Sequence, residues 1–549
     1  MRTFTLSLGT LCCAALLLSP GRTEACGGFF CSNVPILQSG EDIVFDIGDG
    51  KVEAHIGIQY AGEATDFSWV VPVHGVPTLK VSSPQFLQYV RQATQPSFQL
   101  QWDQNSCWEQ AILVDAAAKG YPPGANADAG TSGVTVLYQG QVGPYDSVVL
   151  AADDRQLLAG WLKDNGYTLA DPSVLDPYLG QGYNFLALKL QKDRSVGELR
   201  PIAIDFGGAL PCIPIRLTAV ATRPDLPITA YVFAEHRAVP VNYRHALINE
   251  TRIDWLRGAS NYLEVASRAV DEAGGRAFLT EYAGPSAPFA NPPEWMLPGP
   301  SLDTSILAQK THPVDFTLAL FAQNFPRGDG AIFAMFQKYI PLPKALEGIV
   351  TPQQFYNSIE QYRSDIDNDP NRLPFDAAGF AQELQTTIVE PLLHAREILE
   401  HRPYLTRLFT TMSAEEMTVD PEFDFNATAP EVKQVHTATA TATCNLDGTP
   451  SKVRITLEDG RSWEVEPYGS GGLVDGPYAE RIEQYAAIGG PGLIADNTPA
   501  IDDVIRRAGG SLPGVGCACN GAAAAGPGGA LLLFGLLSLG ARRSARRRC

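Results

Sequence analysis

The chain has 549 residues, of which 60 are acidic and 41 are basic, for a formal net charge of −19. Without the seven arginines and one glutamate of the two ends, residues 26–516 carry 34 basic and 59 acidic side chains, a net charge of −25. Such an acidic body repels nucleic acid and anionic lipid, which argues against a nucleic-acid-binding role. It is long enough for two or three domains.

Residues 1–25 have the pattern of a secretory signal peptide. Arg2 supplies a positive charge, residues 6–18 are apolar, and Ala25 is a small residue suited to cleavage before Cys26. These are the features that the export machinery recognises, so we predict that the mature body begins at Cys26. A lipid on Cys26 is the less favoured alternative, because Thr23 and Glu24 fit a lipoprotein signal badly.

The five cysteines of this body are Cys26, Cys31, Cys107, Cys212 and Cys444. In an oxidising compartment they favour disulfides over metal sites. Cys26 and Cys31 are candidates for a small disulfide ring, since the two glycines between them permit a turn. Cys212 stands near prolines, with no helix N-terminus to lower its pKa, and is interpreted as structural. The other pairings stay open.

The composition changes along the chain and predicts an α+β fold. Residues 26–240 form a β-rich region with inserted helices, and residues 241–430 are mostly helical. Residues 431–467 contain a short C-terminal β-hairpin, whose turn lies at residues 458–461. From residue 468 to 515 glycine and proline increase, which is typical of a stalk.

Residues 516–549 combine Cys517 and Cys519, an apolar stretch and a cluster of arginines. Residues 521–541 can reach across about 30 Å of hydrocarbon, although glycines and a proline weaken the first half of this stretch. The positive-inside rule keeps the arginines cytoplasmic; they are Arg542, Arg543, Arg546, Arg547 and Arg548. Two interpretations stay open: a permanent membrane anchor, and a sorting signal that is removed.

The order of cysteines, Gly/Ala/Leu-rich span and arginines resembles the MYXO-CTERM sorting domain of myxobacterial surface proteins. The resemblance covers about the last 34 residues. It implies processing near Cys517 or Cys519 by a membrane-embedded sorting protease. It also implies display at the cell surface or outer membrane through a lipid on cysteine.

Several stretches of the body resemble the DUF2330 family, over roughly residues 26–430. They are ACGGFFC at 25–31, FSWVVPV at 67–73, VGPYD at 142–146, WLKDNGY at 161–167, IPIRLTA at 213–219 and YLTRLFTTMS at 404–413. The resemblance implies an envelope protein of unknown function, and it supplies no catalytic residues.

One acidic segment between two helical stretches resembles a calcium-binding loop. Its carboxylates stand at loop positions one, three, five and twelve, and they are Asp365, Asp367, Asp369 and Asp376. Pro370 occupies the position where an EF-hand has glycine, and Asp376 is shorter than the usual glutamate. The alternative is a solvated turn that caps the next helix. Ca²⁺ is the one candidate cofactor.

The histidines form no recognised motif. His394 and His401 lie two helical turns apart with Glu397 between them, a spacing that can bind a metal ion. The string matches neither His-Glu-x-x-His nor His-x-x-Glu-His, so we interpret both as helix-surface histidines. Four other histidines, His55, His74, His236 and His245, are isolated in the sequence.

Two classes of function stay open. The lack of a catalytic motif and the anchored architecture favour a structural or binding protein of the cell envelope that meets an unknown extracellular ligand. The alternative is an envelope hydrolase with a dispersed active site, because residues far apart in sequence leave no local motif.

Overall fold

The computed structural model describes residues 37–61, 68–103, 134–167, 171–191, 199–207, 210–219, 222–299, 301–326 and 328–513. The signal peptide, the Cys26–Cys31 pair and the sorting tail lie outside these residues and stay predictions. Within the described ranges, no helix combines the length and the apolar character that crossing a bilayer requires.

Twenty strands are present in the described residues. They are β1 Leu37–Gly48, β2 Lys51–Ala61, β3 Ser68–His74, β4 Thr78–Val81, β5 Ser97–Trp102, β6 Thr135–Val142, β7 Tyr145–Ala151, β8 Tyr183–Leu190, β9 Ile202–Gly207, β10 Leu226–Ala234, β11 Ala238–Pro240, β12 Arg244–Ile248, β13 Ala277–Pro285, β14 Tyr404–Met412, β15 Phe423–Phe425, β16 Val435–Cys444, β17 Pro450–Leu457, β18 Ser462–Val465, β19 Ala479–Gln484 and β20 Gly492–Asp496.

Twelve α-helices accompany these strands in the same residues. They are α1 Pro84–Thr94, α2 Arg155–Asp164, α3 Ile215–Thr218, α4 Tyr262–Glu272, α5 Thr304–Ala308, α6 Pro313–Ala322, α7 Gly330–Tyr339, α8 Pro352–Asn357, α9 Arg363–Asp367, α10 Ala377–Leu384, α11 Glu390–His401 and α12 Thr498–Arg507. A π-helical turn, Gln385–Val389, joins α10 to α11. The mixture confirms the predicted α+β class.

A ten-stranded mixed sheet in the order β20-β19-β12-β13-β14-β10-β1-β2-β9-β4 forms the centre of the fold. The pairs β1–β10 and β12–β13 are parallel, and the other neighbours are antiparallel. Along β1, Ile43 and Phe45 pack towards a second, four-stranded sheet, β3-β8-β7-β6. Val44 packs on the opposite face against the helices α1 and α5 to α11. The central sheet is therefore covered on both faces, which explains its nearly continuous apolar strands.

The predicted C-terminal hairpin is confirmed as β17 and β18, which pair antiparallel. It continues into a third sheet, β18-β17-β16-β5, in which β5 comes from the N-terminal region and lies parallel to β16. Trp463 is fully buried between this sheet and residues such as Trp255.

The segment predicted to be a stalk differs from that prediction. Within residues 468–513, β19 pairs with β12 and extends the central sheet, β20 pairs with β19, and α12 packs beside them. Ile482, Ile501 and Ile505 are buried. Burial of these apolar side chains stabilises a compact structure in spite of the neighbouring glycines and prolines.

Candidate metal centre

Alternation along β2 places Glu53 and His55 on one face of the central sheet. Val52, Ala54 and Ile56 belong to the core between the two sheets, so the residues between them point towards the helices. The side chain of His55 is only 2 % exposed and that of Glu53 is 11 % exposed. Nε2 of His55 lies 3.6 Å from Oε1 of Glu53.

Helix α11 brings a second histidine to these two residues. Nε2 of His394 lies 3.0 Å from Oε1 and 3.1 Å from Oε2 of Glu53. The rings of His55 and His394 stack with their centroids 5.8 Å apart. One ligand atom from each of Glu53, His55 and His394 lies within 4.8 Å of the other two. We call these three residues the EHH cluster.

A proline in the first turn of α11 explains the irregular helix that carries His394. Pro391 has no N–H, so the carbonyl of Thr387, four residues earlier, lacks its usual helical donor. The chain forms a π turn here, in which the N–H of Glu390 donates to the carbonyl of Gln385. Nη2 of Arg200 donates to the orphaned carbonyl of Thr387 over 3.0 Å. Such π turns are frequent at functional sites.

Arg200 is itself held by a buried ion pair. Its Nη1 lies 2.8 Å from Oδ1 and 2.9 Å from Oδ2 of Asp329, and the two side chains are 3 % and 2 % exposed. Asp329 also caps α7 by accepting from the N–H of Ala331 at 2.9 Å. At the other end of α11, Nη2 of Arg402 donates to Asp46 of β1 over 2.9 Å. These contacts fix α11 over β2.

Each histidine of the EHH cluster is oriented by a partner on its other ring nitrogen. Nδ1 of His55 lies 2.7 Å from Oγ of Ser82, and Nδ1 of His394 lies 3.4 Å from Oε2 of Glu397. Such partners fix the ring and its tautomer in metal sites. Nε2 of His55 is buried and has no hydrogen-bond partner. A buried ring nitrogen without a partner is costly unless a ligand uses it.

The protonation states of two of the three residues suit metal binding. Burial lowers the pKa of His55 to about 4, which leaves its imidazole neutral at neutral pH. Burial raises the pKa of Glu53, but the hydrogen bond from His394 and the charges of His55, His394 and Lys80 bring it down to about 2. The hydrogen bond to Glu53 raises the pKa of His394 against the opposing effect of burial. A metal ion bound by His394 would have to displace the proton that this histidine shares with Glu53.

Two imidazoles and one carboxylate form a ligand set for zinc or another first-row divalent ion. Calcium and magnesium prefer oxygen ligands alone. A cavity of about 450 Å³ adjoins the EHH cluster, with His394 on its wall. Lys80 also lines this cavity, and its Nζ lies 4.0 Å from Oε1 of Glu53.

The helix pattern indicated that two histidines and a glutamate of α11 could bind a metal ion together. The structure brings only part of this set to the EHH cluster. His394 belongs to the EHH cluster, and Glu397 supports it from outside. His401 takes no part, because its Nδ1 bonds the carbonyl of Glu397 at 2.9 Å. His394 is 29 % exposed, but its principal contact is a carboxylate of β2, so its prediction as a helix-surface histidine was incomplete. The prediction that His55 is isolated was wrong, because its ring lies in the same cluster.

The four aspartates of the predicted calcium loop have separate local contacts. Asp365 lies on α9, and Asp367 contacts His312 and Arg372. Oδ1 of Asp369 accepts from the N–H of Asn371 over 3.0 Å. Oδ1 of Asp376 accepts from the N–H of Gly379 over 2.8 Å and caps α10. Among the described residues, only the EHH cluster brings three metal-type ligands together; the calcium site stays a prediction.

The thiol of Cys212 is interpreted as structural, and its surroundings agree. Burial raises its pKa far above the usual range, with Asp420 and Glu422 contributing in the same direction. Such a thiol is not ionised at neutral pH and is a poor nucleophile.

The family model that matches this chain is DUF2330, described as an uncharacterized protein conserved in bacteria, over residues 20–293. The predicted resemblance is confirmed for this range; no match extends it to residue 430. No curated protein and no solved structure matches the chain. The matched range contains Glu53, His55 and Lys80, and it ends before α11 with His394.

Proposed function

Residues 20–293 make this chain a member of the DUF2330 family, and we propose that it is an exported cell-envelope protein that binds a divalent transition-metal ion, zinc in the first instance. The EHH cluster supplies the ligands: Nε2 of His55, Nε2 of His394 and a carboxylate oxygen of Glu53. The bound ion contributes either to the stability of the fold or to recognition of a ligand by the envelope protein.

The observation that carries the metal proposal is the convergence of three ligand atoms within 4.8 Å of one another. An ordinary His–Glu ion pair needs only two residues, and here Glu53 and His394 already form one. The third member, His55, is buried, neutral and without a hydrogen bond on the nitrogen that faces Glu53. A metal ion satisfies this nitrogen and the carboxylate together.

The export part of the proposal rests on the two ends of the sequence. The N-terminal signal pattern and the cysteines, apolar span and arginines of residues 516–549 support passage through the sorting machinery to the cell surface. The net charge of −25 in residues 26–516 favours a soluble body outside the membrane. Protease treatment of intact cells tests this part: a body cleaved only after lysis would contradict surface display.

Equilibrium dialysis of the purified chain against Zn²⁺ tests the metal part. We expect one tightly bound zinc per chain in the natural protein, and its loss in the variants Glu53→Gln and His394→Gln. The matched control is His436→Gln, because Nδ1 of His436 also pairs with a glutamate, Glu250, at 2.7 Å. Zinc binding that is equal in all four proteins would overturn the assignment.

A further inference from the structure

We propose that the metal centre keeps an open coordination position towards the adjoining cavity, and that this position takes the oxyanion of a small molecule, a carboxylate or phosphate, which also pairs with Lys80. The inference rests on the proposed metal binding and extends it from the ion to its ligand.

The open position follows from the number of ligands. Structural zinc sites have four protein ligands, whereas sites that bind water or substrate have three. Among the described residues, the EHH cluster offers three. His394 is both a member of this cluster and a part of the cavity wall, so an ion held by the cluster would lie next to the cavity.

The cavity is built from three separate parts of the fold. Strand β4 contributes Lys80, the β6–β7 hairpin contributes Gln141, and the π turn with α11 contributes Thr386, Glu390 and His394. Its volume of about 450 Å³ is within the range of small-molecule sites. The amide of Gln141 and the hydroxyl of Thr386 provide polar groups that can orient a ligand.

The charge at the cavity selects an anion. A divalent ion together with Lys80 outweighs the carboxylates of Glu53 and Glu390 by one positive charge. Among the residues that line the cavity, Lys80 is basic and Glu390 is acidic, so the net positive charge would come from the bound ion. A desolvated positive charge is stabilised by an anionic partner, and an oxyanion can coordinate the ion directly.

Lys80 is suited to hold the outer end of such a ligand. Its Nζ lies 4.0 Å from Glu53, and its side chain is 51 % exposed. If Glu53 coordinated a metal ion, the ion would offset its negative charge and weaken its attraction for Lys80. The ammonium group can then turn to an oxyanion in the cavity, since lysine binds phosphate and carboxylate as a mobile point charge.

Cobalt substitution tests the inference, because the visible absorption of protein-bound Co²⁺ depends on its ligands. The chain is loaded with Co²⁺, and inorganic phosphate and succinate are added in separate titrations. We expect a saturable change of the Co²⁺ spectrum with at least one anion, while the Co²⁺ content measured after dialysis is constant. The anion that produces the change identifies a phosphoryl or a carboxylate ligand.

The variant Lys80→Met provides the second measurement. We expect it to leave the Co²⁺ spectrum in place and to weaken anion binding about tenfold. The control is Lys51→Met, because Lys51 is an exposed lysine on β2 that pairs with Asp205 at 3.6 Å, away from the cavity wall. A Co²⁺ spectrum that neither anion changes, or equal anion affinity in both variants, would overturn the inference and leave metal binding intact. Absence of any Co²⁺ spectrum would defeat both proposals.

Discussion

Nε2 of His394 lies 3.0 Å from Oε1 of Glu53, although 341 positions separate the two residues in the sequence. Glu53 lies on β2, an inner strand of the central sheet, and His394 lies on α11, a helix that packs over that sheet. His55 lies two positions beyond Glu53 and adds a second imidazole nitrogen to the same point. The proposed metal site depends on this convergence.

The hydroxyl of Ser82 is expected to tune metal affinity without touching the ion. Its Oγ lies 2.7 Å from Nδ1 of His55 and fixes the ring so that Nε2 faces Glu53. We expect Ser82→Ala to weaken zinc binding about 10- to 100-fold, measured by competition with a chromophoric chelator. Ser462→Ala removes another buried serine hydroxyl, one that bonds Ser511 at 2.9 Å, and serves as the control. Equal affinities in the two variants would show that Ser82 does not orient the ligand.

The ion pair between Arg200 and Asp329 is expected to be a main stabilising contact of the helical layer. Arg200→Met leaves a buried carboxylate without its partner and the carbonyl of Thr387 without a donor. We expect the free energy of unfolding in urea to fall by about 3–5 kcal/mol.

The comparison for Arg200 is Lys338→Met, which removes the more exposed ion pair with Glu383. Exposed pairs contribute about 1 kcal/mol or less, so this variant should unfold close to the natural protein. If the free energy of unfolding fell by the same small amount in both variants, the proposal that Arg200 fixes the π turn would be wrong.

The burial of His245 is expected to make the stability of the fold depend on pH. Its Nδ1 lies 3.4 Å from Oε2 of Glu483, and its Nε2 lies 2.9 Å from Oγ1 of Thr280. Burial lowers the pKa of His245 below its usual 6.5, so the ring is neutral in the folded state and takes up a proton more readily in the unfolded state. As the pH falls below 6.5, the unfolded state therefore binds more protons than the folded state, and the free energy of unfolding decreases.

We expect the free energy of unfolding of the natural protein to decline more steeply than that of His245→Gln as the pH falls below 6.5. One proton corresponds to about 1.4 kcal/mol per pH unit, which is the upper limit of the difference in slope. Urea denaturation at several pH values gives both slopes. Parallel curves would mean that His245 takes up its proton without unfolding.

Residues 468–513 are expected to be an integral part of the fold. Truncation after residue 467 removes β19, β20 and α12 and exposes the apolar side chains that pack on them. Each buried aliphatic side chain contributes about 1.5–3 kcal/mol, so we expect the shortened chain to aggregate or to melt at a lower temperature. Truncation after residue 513 keeps these elements and should melt like the whole body. Equal melting temperatures of the two truncated chains would instead support the interpretation of residues 468–513 as a stalk.

The sequence predicts the α+β class and the terminal hairpin because alternation and helical periodicity are local properties. The polar pair Glu53 and His55, at alternate positions of an apolar strand, is also a local signal: it places a carboxylate and an imidazole on one face. Pro391 marks an irregular turn just before His394. The contact between β2 and α11 depends on the tertiary fold, so it cannot be predicted from the spacing of residues in the sequence. The pairing of β19 with β12 was also not predicted, because the residues around β19 have a composition that is typical of loops.

Anomalous diffraction at the zinc absorption edge, from crystals of the chain grown with Zn²⁺, would show directly whether the EHH cluster binds the ion. We expect one strong peak between the three side chains, about 2.0–2.2 Å from Nε2 of His55, Nε2 of His394 and an oxygen of Glu53. A density map with no peak there, while His394 and Glu53 retain their direct hydrogen bond in the presence of Zn²⁺, would contradict it.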